Sequence, residues 1–155
     1  MFEIPSDLDN SVYSYMRWST IKYANQKKLK NKYENYDHKG LADIKGRKVI
    51  ACTTMFGDIG DEIEVTFKYG VDYWNKEHKT LFAIIGDIKD KGDSNCDEYG
   101  HLYTKVNGKY TQRSVIEFIV GPKFKGNIKD THNFPDLNHN PVVKIEQTGV
   151  NFLYN

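Results

Sequence analysis

The pattern of apolar and polar positions changes character along the chain. In the first 45 residues the apolar side chains are scattered among Lys, Asn and Tyr, and Ile21, Ala24, Lys28 and Leu29 give only a weak 3.6-residue stripe, which predicts one helix from about Ile21 to Tyr36. From Arg47 the pattern is that of strands. KVIAC (48–52) is a short apolar run. In the segment from Asp61 to Lys68, Ile63, Val65 and Phe67 alternate with Glu62, Glu64, Thr66 and Lys68, which predicts a half-buried strand. TLFAII (80–85) shows no alternation and is too short for a typical helix, so it reads as a strand buried on both faces, and SVIEFIV (114–120), closed by Gly121 and Pro122, reads the same way. At the C-terminus PVVKIE and VNFLYN flank Gln147, Thr148 and Gly149, which predicts a closing hairpin.

Short strands with few helices between them favour a mainly β fold, a small barrel rather than a doubly wound sheet. The organisation that follows is an N-terminal helical arm (1–45), a β core (46–122) and a C-terminal hairpin extension packing on that core (123–155). A chain of 155 residues with 39% hydrophobic and 14% aromatic side chains supplies one domain with a real core.

The formal net charge of +1 gives no field that favours nucleic acid or an anionic membrane. Lys27, Lys28, Lys30 and Lys32 form a basic cluster, read as a solvated helix face in preference to a polyanion site. No apolar stretch approaches the roughly 18 residues of a membrane span. The opening MFEIPSDLDN lacks the basic and apolar regions of a signal peptide, so none is expected. Cys52 and Cys96 share no CxxC motif and are expected to be free thiols.

Candidate chemistry concentrates around two acids. Asp87 stands where the TLFAII strand opens into a loop, where a side chain is held firmly yet reaches a ligand. Glu117 lies inside SVIEFIV with apolar residues on both sides, and burial without a partner raises a carboxyl pKa, which prepares a general acid for use near neutral pH. If the two strands are neighbours, the acids meet at one end of the barrel. The structural alternatives stay open: Glu117 pairs with Arg113 or Lys48, and Asp87 caps the following turn.

The segment from Asp87 to Glu98 imitates a calcium loop, but Lys89 and Lys91 stand where oxygen ligands are needed; a weaker site using Asp90, Asp93 and Asp97 is the remaining metal option, and no metal or cofactor is expected. His101, His132 and His139 lack metal-ligand spacing. Thr53 and Thr54 follow the KVIAC strand as substrate hydrogen-bonding candidates or plain strand residues. No GxSxG, HExxH, Walker or dinucleotide motif is present.

Several of these stretches together resemble a known group. GRKVIACTTMFGDIGDEIEVTFKYG, then LFAIIGDIKDKGDSN, then SVIEFIV are similar to the double-psi β-barrel of the three-aspartate domain, whose relatives include rare lipoprotein A, membrane-bound lytic transglycosylase A and the expansin catalytic-like domain. Ala51, Ile59 and Gly60, Gly70, Asp87 and Glu117 occupy the motif positions. Ser14 to Met16, Gly46 to Ala51, Gly86 to Asp90 and Val115 to Val120 also resemble domains of phage tail and cell-wall-hydrolase proteins of gut bacteria. The family's first aspartate is replaced by Cys52 or Thr53, and its third by Glu117.

The resemblance implies a six-stranded double-psi β-barrel and phage-associated cleavage of peptidoglycan glycan strands, by a lytic transglycosylase or a muramidase-like glycosidase. In that role Asp87 is the general acid and then the base, Glu117 raises the pKa of Asp87 or serves as second carboxyl, and Thr53, Thr54, Asp90, Asp93 and His101 line the cleft. Tyr73, Trp74, Tyr99 and Tyr103 are candidates to stack on sugars. The alternative is a non-catalytic virion or glycan-binding module whose N-terminal arm contacts other tail subunits. The implied location is the virion or the bacterial wall after release.

Overall fold

A computed structural model of the chain describes residues 2–4, 12–18, 23–71, 79–89, 99–100, 103–106, 109–126, 137 and 140–154, with the side chains of residues 12, 14, 103–106 and 109–114 excepted. Among these residues the fold is mainly β. The strands are β1 (Phe2–Glu3), β2 (Val12–Arg17), β3 (Asp43–Ile44), β4 (Arg47–Cys52), β5 (Asp61–Phe67), β6 (Thr80–Ile88), β7 (Tyr103–Val106), β8 (Lys109–Val120) and β9 (Val142–Asn151), with one helix, α1 (Ala24–Tyr33).

Eight strands form a mixed sheet whose main order is β1-β9-β5-β6-β4-β8-β2, with β3 on β4; β7 pairs with β8. The pairings run from one edge to the other without closing as a barrel, so the expected six-stranded closure is not what these strands form.

The strand KVIAC becomes the centre of the molecule. β4 pairs in parallel with β6 on one side and antiparallel with β8 on the other, so both of its edges are used. Every residue from Lys48 to Cys52 is buried, as a continuous apolar run requires when both faces are covered.

The alternation in β5 is realised as expected: Ile63, Val65 and Phe67 are fully buried while Glu64 and Thr66 stay partly open. Glu62 departs from that pattern. It is buried because the Arg47 guanidinium lies 2.5 Å from its carboxylate, and Arg47 in turn lies over the Phe152 ring. β6 departs in the other direction. Ala83, Ile84 and Ile85 are buried on both faces, but Phe82 is 48% exposed.

The predicted hairpin at Gln147–Gly149 is a single strand, β9. Its register on β5 runs from Gln147 opposite Ile63 to Asn151 opposite Asp61, four residues against two, so Thr148 to Val150 form a bulge and Gly149 takes the positive φ of 89° that this requires. The turn residues read correctly as a break in regularity, but the chain absorbs it sideways and continues. Asn140, buried just before β9, accepts from the Tyr69 N–H and donates to the Tyr69 carbonyl through its side-chain amide, and its own carbonyl accepts from the Tyr13 hydroxyl at 2.6 Å, which ties β9 to the end of β5 and to β2.

The helix is shorter than predicted, and its buried residues are Gln26 and Leu29 rather than a stripe through Ala24 and Lys28. With so little apolar surface, its place depends on what Gln26 and Tyr33 bond. The Tyr33 hydroxyl donates to the Phe152 carbonyl, and Gln26 reaches the sheet near β6.

Between Ile50 and Ala51 the β4–β6 register shifts by one residue, with Gly86 as the extra residue of β6. A methyl group there would approach Val49 Cγ1 to 2.3 Å and Ile119 Cδ1 to 3.1 Å. Gly86→Ala is therefore expected to destabilise the fold by about 1–3 kcal/mol through overpacking, read as a lower urea midpoint with an unchanged slope.

Candidate functional site

The bulge at Gly86 sets what stands opposite Ala51. Ala51 is the register partner of Asp87 on β6 and of Glu117 on β8. Residues directly opposite in a ladder project to the same face, so Asp87, Ala51 and Glu117 form one row across three strands, extended by Ser14 of β2, the partner of Glu117. The acids therefore do not sit on neighbouring strands, as the sequence reading required for them to meet; they lie two strand spacings apart, about 9.6 Å between Cα atoms, with the methyl of Ala51 between them.

The two acids have different surroundings. Asp87 Oδ1 accepts a hydrogen bond of 2.6 Å from Gln26 Nε2 of α1 and another of 2.9 Å from the N–H of Ile88. The second stays within β6, on the next residue of the same strand, and the loop that Asp87 is expected to cap lies, over residues 90–98, outside the described residues. Two N–H donors on one oxygen suit the ionised carboxylate. Glu117 is half-buried and makes no side-chain hydrogen bond or ion pair among the described residues. Its suggested partner Lys48 is buried with Asp37 and Asp43 instead, at 2.9 and 2.7 Å, and Arg113 lies outside the described side chains.

Below the row lies a buried polar group that sequence reasoning missed. Lys89 is 8% exposed; its backbone N–H bonds the Cys52 carbonyl and its Nζ bonds the Gly100 carbonyl at 3.2 Å. A lysine two residues beyond a strand-end aspartate reads as loop charge, and only the parallel pairing of β6 on β4 carries it inside. Cys52 is a free thiol, fully buried, whose pKa burial pushes up to about 12; Lys89 pulls it down, and Asp61 and Asp87 push it further up. A thiol held neutral in this way is a packing group and not a nucleophile.

The remaining candidates separate. Thr53 is buried, and its hydroxyl has no hydrogen-bond partner among the described residues; Thr54 is exposed. Asp90, Asp93 and His101 lie outside the described residues, as do Cys96, Asp97, Tyr73 and Trp74, and the side chain of Tyr103. Tyr99 packs against the core and is partly buried. Among the described residues no group of three or more His, Cys, Asp or Glu is placed to hold a metal ion, and no helix is long and apolar enough to cross a membrane.

Comparisons with protein-family models, with curated proteins and with solved structures find no match.

Gln26 holds α1 over the row through a bond to a charged acceptor, a kind worth about 1.5–3 kcal/mol when its partner is left buried. Gln26→Leu is expected to raise amide hydrogen exchange through α1, most at the turn around Lys27 to Lys30, while β4 and β8 keep their protection.

Proposed function

We propose that this protein cleaves the glycan strands of peptidoglycan, with Asp87 and Glu117 as a carboxyl pair on either side of Ala51. The observation that carries the reading is the shared row: two acids on one face, separated by two strand spacings with Ala51 between them. Carboxyls that face a sugar from two sides, with room for a water, are the equipment of glycoside hydrolysis.

The surroundings of each acid suggest its task. Glu117, half-buried and without a side-chain partner, is the proton donor to the glycosidic oxygen. Asp87, held as a carboxylate by Gln26 and the Ile88 N–H, orients water or stabilises positive charge on the sugar. This exchanges the roles that the motif resemblance implies, and it favours hydrolysis over a one-acid lytic transglycosylation. Within the same reading, the similarity to phage tail and cell-wall-hydrolase domains makes the bacterial wall the substrate and the virion or the lysed host the place of action.

A second reading has its own support. Asp87 is already engaged by α1, as a purely structural acid would be. On that reading the row binds glycan without cutting it, in a virion module.

Mass spectrometry of the soluble products from purified sacculi separates the two. Reducing-end muropeptides are expected from the wild type, falling about a hundredfold or more in Glu117→Gln and in Asp87→Asn. Anhydro-muropeptides lost only in Asp87→Asn would restore the transglycosylase assignment. Protein that pellets with sacculi from several walls and releases nothing would leave the binding module.

A further inference from the structure

The face of β5 opposite the buried Ile63, Val65 and Phe67 carries Glu62, Glu64 and Thr66. The register extends each of them onto the neighbouring strands. Glu62 stands opposite Ile84 of β6, Glu64 stands between Phe82 of β6 and Glu146 of β9, and Thr66 stands between Thr80 and Lys144. Opposite partners project to one face, so Phe82, Glu64 and Glu146 form a row across three strands.

The two glutamates of β5 have different fates. Glu62 is buried with the Arg47 guanidinium on its carboxylate, and that guanidinium lies over the Phe152 ring, 5.2 Å from the ring centre. Carboxylate, guanidinium and aromatic ring thus make a closed unit inside the chain. One row along, the carboxylates and the ring are present without the guanidinium. Phe82 is 48% exposed and makes no ring or cation contact among the described residues. Glu64 and Glu146 are partly exposed, and neither makes a side-chain hydrogen bond or ion pair among the described residues. Lys144, in the next row opposite Thr66 and Glu3, pairs with neither of them.

This row works against the fold that carries it. Like charges directly opposite on antiparallel strands, with Cβ atoms about 4.5–5.5 Å apart, repel, and a ring left half in water forgoes its burial. Among the described residues nothing offsets either cost. One group relieves both. A guanidinium is flat enough to lie on a ring and has a fork of donors that reaches two carboxylates, whereas an ammonium is a compact point charge.

We propose that this face of β5, β6 and β9 docks an arginine side chain of a partner protein, with Glu64 and Glu146 receiving the guanidinium edge and Phe82 its flat face. The unit that Arg47 completes beside Glu62 is the template for the contact. The two arginines whose side chains are described are engaged within the chain, Arg47 with Glu62 and the Lys45 carbonyl and Arg17 with the Gly121 carbonyl, which favours a different protein over a second copy. An aromatic and an arginine are also the residue types that anchor protein interfaces. The proposal does not depend on the glycan-strand reading.

Two-dimensional amide NMR of the full chain tests it, by titration with a blocked tripeptide that carries arginine between two alanines and with its citrulline and lysine counterparts. The arginine peptide is expected to shift the amides of Glu64, Phe82 and Glu146, the neutral citrulline peptide to leave them still, and the lysine peptide to bind about threefold more weakly. Glu64→Gln, Glu146→Gln and Phe82→Ala are each expected to weaken the arginine peptide about three- to fivefold, the worth of one exposed ion pair or cation–π contact. Glu146→Gln is also expected to keep or raise the urea midpoint, because it removes a repulsion. Equal shifts from the arginine and citrulline peptides, equal binding of the lysine peptide, or no shift in the row overturns the proposal. A lower midpoint in Glu146→Gln would make the pair structural and overturn it as well. The same amides shifting when the protein alone is concentrated would make the occupant a second copy, against the assignment.

Discussion

The structure depends on one constraint, the double pairing of β4. A strand that gives one edge to a parallel partner and the other to an antiparallel one, with both faces buried, fixes the register of everything beside it. The one-residue shift at Gly86 is part of that register. Without it, Gly86 rather than Asp87 would stand opposite Ala51, and Asp87 would project to the other face. The bulge at Gly86 therefore decides whether Asp87 shares a row with Ala51 and Glu117.

What surrounds β4 turns that register into a site. The terminal segments are not appendages: β2 from the N-terminal side covers β8, and β9 from the C-terminal side pairs with β5. The helix is polar, with a single buried apolar side chain among its residues, and is held at one end by Gln26 on Asp87 and near the other by Tyr33 on Phe152. Such an element gains most of its place from tertiary bonds and little from its own propensity.

Much of the fold was legible in the sequence where one physical signal dominated. The period-2 alternation of Ile63, Val65 and Phe67 marked β5, and the unbroken runs around Ile50, Ile84 and Ile119 marked strands that are buried in the structure. Legibility failed where the deciding term was non-local. Thr148 and Gly149 carry the signature of a turn, but pairing with β5 along the whole length of β9 outweighs a local turn and leaves a bulge. The burial of Glu62 depends on Arg47, fifteen positions earlier, and that of Lys89 on Gly100.

The candidate site divides in the same way. Asp87 and Glu117 stood out because each breaks an apolar run, and that local signal located both acids. Their relation to each other was invisible, since it passes through a third strand, and Ala51 drew notice only as a motif position. Gln26 gave no signal at all. A glutamine among lysines and asparagines looks like solvent-facing helix until its 61-residue separation from Asp87 is closed by folding.

The central claim is that Asp87 and Glu117 act on one ligand across Ala51. Carbon-detected NMR of their side-chain carboxyls, followed while a peptidoglycan-derived tetrasaccharide is added, tests it most directly. The account predicts that both resonances move and saturate at the same ligand concentration. Movement of neither, or of Glu117 alone while Asp87 stays fixed under Gln26, would contradict it.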